Sequence, residues 1–72
     1  MNQQEWEALG TLHPSWRIRP TARGAALMAT RLDRRHLTPE ELAAGLAMTL
    51  IEDTGERLAE ALVAQREIEA DL

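Results

Sequence analysis

Two histidines, one serine and six threonines are what this chain offers for a hydroxyl nucleophile assisted by a histidine base. A nucleophile needs a base within hydrogen-bond reach and a third group to orient that base. His13 stands directly before Pro14, where its ring is expected to cap or pack. His36 ends the run Arg34-Arg35-His36 just before a helix start, an exposed position. No spacing matches a hydrolase elbow, a phosphate loop or a metalloprotease helix. The histidines are 23 positions apart and the chain has no cysteine, so a metal site lacks ligands. The expectation is a non-enzyme with no catalytic, cofactor-binding or metal-ligating residue and no cofactor. A small enzyme or ligand carrier would require a concave pocket near His13, Trp16 or His36.

Charge offers a second kind of chemistry. All eight basic residues are arginine, and the formal net charge is −4. Residues 1–36 hold six arginines against Glu5, Glu7 and Asp33, a balance of +3; residues 37–72 hold Arg57 and Arg66 against nine acids, a balance of −7. Such asymmetry either closes on itself inside the fold or marks two different outer faces. Arg17, Arg19, Arg23 and Arg31 fall within one extended stretch, with Arg34 and Arg35 directly after it. A two-stranded ribbon carrying arginines is able to enter a DNA groove. The plainer reading is that these arginines solvate the outer face of a sheet and pair with the chain's own acids. Glu40, Glu41, Asp53 and Glu56 lie where helices begin, and there the dipole favours them. Glu67, Glu69 and Asp71 gather at a helix C-terminus, where it does not. That end either frays or meets something basic.

These groups must be positioned by a small scaffold. Seventy-two residues make one domain, 1–72, which buries only about 60% of its unfolded surface. Residues 2–9 read as a short helix, capped by Asn2 with Glu5 closing the box, Trp6 and Leu9 on one face, and Gly10 as the stop. Ser15 to Arg19 alternates, with Trp16 and Ile18 on one side and Arg17 and Arg19 on the other, as a half-buried strand does. After the turn chemistry of residues 20–24 the chain returns, giving a hairpin over 15–32. Thr38-Pro39-Glu40-Glu41 is a strong helix start. The spacing Leu42, Leu46, Leu50 then predicts a helix over 39–51. A last helix is expected over 54–70, with Leu58, Ala61, Leu62, Gln65 and Ile68 facing inward.

The predicted architecture is α+β: a short N-terminal helix, a two-stranded antiparallel hairpin, and two C-terminal helices packed on one face. Its core anchors are Trp6, Trp16, Leu42, Leu46, Leu50, Leu58 and Leu62. The longest largely apolar run, 42–51, is half the roughly 20 residues a bilayer requires. The first residues carry neither positive charge nor an apolar stretch, so a soluble, cytoplasmic protein is expected.

His-Pro-Ser-Trp-Arg-Ile (13–18), Ala-Thr-Arg (29–31), Leu-Thr-Pro-Glu-Glu-Leu (37–42), Gly45 and the late Leu58, Leu62, Gln65, Ile68-Glu69 together resemble a set of small, largely uncharacterised actinomycete-type proteins. Their pattern is HPxWxI, a hairpin ending in ATR, then LTxxE, Gly and a leucine-rich last helix, and the resemblance covers residues 6–69. Such proteins are often encoded beside helix-turn-helix regulators, which implies a regulatory or accessory role. The family pattern has an aromatic pair before Ala-Thr-Arg, where this chain has Leu27 and Met28. A ligand or partner held by those aromatics is therefore not implied here. The function expected is non-catalytic protein–protein interaction, as a small acidic accessory whose partner is a larger protein such as a DNA-binding regulator. Nucleic-acid binding through the arginine-rich hairpin is the alternative, no membrane contact is expected, and homodimerisation stays open. The candidate interaction residues are Arg17, Arg19, Arg23, Arg31, Arg34 and Arg35 on one side and Glu67, Glu69 and Asp71 on the other.

Overall fold

The computed structural model describes residues 3–33 and 35–72. In chain order they form α1 (Gln3–Leu12), β1 (Trp16–Pro20), β2 (Leu27–Arg31), α2 (Pro39–Ala43), β3 (Thr49–Glu52) and α3 (Gly55–Asp71). The fold is a small α+β domain with a three-stranded antiparallel sheet and three helices.

The first helix runs through Gly10 to Leu12, beyond the expected stop. The His13 N–H donates to the Leu9 carbonyl at 2.9 Å, and Pro14 then forbids continuation. The expected Asn2 cap with the Glu5 side chain lies outside the described residues. Next comes the hairpin. Its register sets Trp16 opposite Arg31 and Ile18 opposite Ala29, and a turn closed by Thr21 N–H to Ala26 O at 2.9 Å joins the strands. Gly24 supplies the positive φ of that turn, +68°.

The sheet has a third strand where a helix was expected. The helix predicted over 39–51 ends after five residues, at Ala43. Its start is as read: Thr38 accepts from the Glu41 N–H, and Glu41 in turn accepts from the Thr38 N–H. Gly45, at φ +106°, then reverses the chain, and Thr49–Glu52 pairs with β2 in the register Met28↔Ile51, Ala29↔Leu50. Helix propensity over 42–51 loses because it is worth only tenths of a kcal/mol per residue. A helix there would leave the outer backbone groups of β2 without partners. The two-stranded hairpin becomes a three-stranded sheet with β2 in the centre.

One core forms between the inner sheet face and two helices. Trp16, Ile18, Leu27 and Ala29 from the strands meet Leu9 of α1 and Leu58 and Leu62 of α3, with Trp6 and Leu50 half-buried against them. Each fully buried leucine contributes about 1.5–3 kcal/mol. Leu46 is buried, but Leu42 is 57% exposed and anchors nothing, a correction that follows from the early end of α2. Among the described residues no helix is long and apolar enough to cross a membrane.

Candidate interaction surface

Strand parity decides which arginines face outward. Residues 27, 29 and 31 share the inner face of β2, so Arg31 cannot lie with Arg17 and Arg19 on the outer one. Arg31 was expected among the solvated hairpin arginines; its side chain is in fact only 13% exposed. The guanidinium lies 4.4 Å from the Trp16 ring centre. Its Nε donates to the Ala47 carbonyl at 2.8 Å, Nη2 to Gln65 Oε1 at 2.9 Å, and Nη1 to Glu69. Gln65 completes the junction: Oε1 also accepts from the Ala47 N–H, and Nε2 donates to the Gly45 carbonyl, both at 3.0 Å. Gln65, 6% exposed, thus ties α3 to the segment leading into β3. The sequence placed Gln65 inward without showing its three partners.

The acidic end of α3 does not fray within the described residues, since helix continues to Asp71. Glu69 meets Arg31, while Glu67 and Asp71 are exposed. A second internal closure joins the halves at Arg35, which donates to both Glu41 oxygens at 3.2 Å and lies near Asp33. The Thr38 N–H, and then Arg35, hold the Glu41 carboxyl below its ordinary value. The hydrogen bond and charge of Glu41 hold Arg35 protonated more firmly than usual. Arg34 lies outside the described residues.

What remains is the opposite side of the sheet. Arg17 and Arg19 of β1, Met28 and Thr30 of β2, and Thr49 and Ile51 of β3 share it, in the rows Arg17–Thr30–Thr49 and Arg19–Met28–Ile51. Both core helices pack on the other side, and in these rows Arg17, Arg19, Thr49 and Ile51 are exposed while Met28 and Thr30 are half-buried. Ile51 is 59% and Leu32 55% exposed. Arg17 and Arg19, and Arg23 at the hairpin tip, meet no carboxylate among the described residues. A groove of about 430 Å³ borders this face, lined by Arg17, Thr30, Arg31, Leu32, His36 and Met48. Met28, Leu32 and Ile51 were missed as surface residues; their outward parity was readable for Met28, but that of Ile51 required knowing that β3 exists.

The histidines are apart, His13 beside a cleft of about 130 Å³ with Trp16 and Arg66, His36 beside the sheet groove. Burial, then the Arg66 charge, lowers the His13 pKa from its ordinary 6.5. The His13 cleft is well below the ~300 Å³ of a usual small-molecule site. Among the described residues no group of three His, Cys, Asp or Glu side chains is placed to hold a metal ion. Comparison with family models, curated proteins and solved structures finds no match for the chain.

Proposed function

We propose that this protein is a non-catalytic binding module that holds a protein partner on the uncovered face of its sheet. One observation carries the reading: helices close one side of a three-stranded sheet, while the other presents exposed Ile51 and Leu32 beside a column of arginines that meet no carboxylate among the described residues. An antiparallel sheet commonly turns one polar face to water, and it is the exposed Ile51 and Leu32 beside Met28 that mark this face as a surface to share. The resemblance to proteins encoded beside helix-turn-helix regulators supports a regulatory accessory role, with the regulator as the partner.

The test is affinity capture from cells of the source organism at low and moderate salt. Wild-type bait recovers a partner that R17E/R19E bait loses and that E60R/E67R bait, altered on α3, retains. Recovery of the same proteins by all three baits overturns the reading. Arg17, Arg19 and Arg23, which meet no acid among the described residues, favour a second reading, nucleic-acid binding by the hairpin. Against it stand the net charge of −4, the engagement of Arg31 within the fold, and the inward placement of both tryptophans. Phosphate contact supplies most nucleic-acid affinity, and few cations are left here to make it. A gel shift at about 50 mM salt that disappears in R17E/R19E would establish this second reading instead.

A further inference from the structure

The uncovered face has a shape and charge order that specify what fits it. Arg17 and Arg19 form one column along β1, the β2 column carries Met28 and Thr30 with Leu32 beyond, and Ile51 with Thr49 forms the third. The cations therefore flank the apolar residues on one side only. Three strands span about 10 Å between the outer pair, the diameter of one α-helix. Arginines two positions apart on a strand are about 6.7 Å apart, close to the ~6 Å rise between helical positions i and i+4. We infer that the partner segment seated here is an amphipathic α-helix with a carboxylate row on one flank. Its apolar side chains pack on Met28, Ile51 and the groove at Leu32 and Met48, and its carboxylates meet Arg17 and Arg19. This deepens the protein-binding reading and rests on it.

Charge complementarity selects the acidic helix over other occupants. The paired rows of this face carry two arginines and no acid, so a basic segment seated on them would meet repulsion. A second copy placed face to face stacks the arginine columns if the two-fold axis crosses the strands, and sets each column over Thr49 and Ile51 if it runs along them, with no carboxylate in the paired rows to meet it in either case. A nucleic acid would leave Met28, Leu32 and Ile51 against phosphates and sugars, with neither tryptophan on the face for a base to stack on.

The experiment titrates isotope-labelled full-length protein with helical peptides of about 18 residues, long enough to hold a helix. Three share one leucine stripe and carry glutamate, glutamine or lysine on the flank; a duplex DNA of matching length is the fourth probe. The glutamate peptide should bind, shifting the Arg17, Met28, Thr30 and Ile51 amides, with affinity that weakens as salt rises. R17E/R19E should bind it about tenfold more weakly and gain affinity for the lysine peptide. Ile51→Ser should weaken the glutamate and glutamine peptides alike without changing the salt dependence. All substituted side chains are exposed, and circular dichroism checks that the fold persists.

Equal binding of the glutamate and glutamine peptides overturns the acidic chemistry and leaves the protein-binding reading intact, as does capture of a cellular partner when no peptide binds. Binding of DNA in place of peptide overturns both. Concentration-dependent self-association in sedimentation that shifts the same amides, without peptide binding, assigns the face to a second copy and overturns the inference.

Discussion

Gln65→Leu removes one side chain and leaves three partners stranded. The Ala47 N–H, the Gly45 carbonyl and Arg31 Nη2 each lose a hydrogen bond of 2.9–3.0 Å at a site 6% exposed. An orphaned buried backbone group costs about 1–3 kcal/mol, and leucine offsets part of the loss by its apolar transfer, so about 3 kcal/mol is expected. The unfolding entropy of 72 residues is about 0.15 kcal/mol/K, which converts that loss to a melting point lowered by about 20 °C. Urea unfolding followed by circular dichroism should show a lower midpoint at unchanged slope. Hydrogen exchange should show the Ala47 amide unprotected before the β1–β2 amides open, because Gln65 anchors the approach to β3. Glu69→Gln serves as the control. Glu69 is 42% exposed, so its pair with Arg31 should be worth about 1 kcal/mol or less. A Gln65→Leu protein within about 0.5 kcal/mol of wild type would refute the role given to this junction.

Gly45→Ala must place a side chain at φ +106° and its Cβ at 3.3 Å from Ile68 Cδ1. The Ile68 tip can give, the backbone cannot, and a loss of about 1–3 kcal/mol is expected in thermal melts. Leu42→Ser should be within about 0.5 kcal/mol of wild type, whereas Leu62→Ala should cost about 2–5 kcal/mol; equal costs would contradict the early end of α2. The His13 pKa is lower folded than unfolded, so its contribution is fully present above 6.5 and is lost as pH falls through the folded value. In denaturation series from pH 7.5 to about 5, His13→Gln should flatten that acid-side decline; an unchanged slope would show that another group causes it.

Much of the framework was legible because it depends on neighbours in sequence. The Thr38–Glu41 box requires residues three apart, and the alternation from Trp16 to Arg19 requires only a pleated strand. Leu58, Leu62 and Gln65 lie on one helical stripe, so their burial follows once α3 forms. The hidden place of Arg31 was legible in principle, since it shares parity with Leu27 and Ala29, but burying a guanidinium is credible only with partners in view. Those partners, Ala47, Gln65 and Glu69, are 16 to 38 positions away.

Local pattern alone settled the charge split between the halves, the hairpin, the start of α2 and the span of α3. The third strand belonged to the tertiary structure. Residues 42–51 satisfy a helical stripe as written, and only the open edge of β2, with the Arg31 and Gln65 bonds to Ala47 and Gly45, draws them into the sheet. The bare face was decided in the same way. Which residues lie beside Arg17 and Arg19 depends on strand register, and register is set by which side chains the helices bury on the far side.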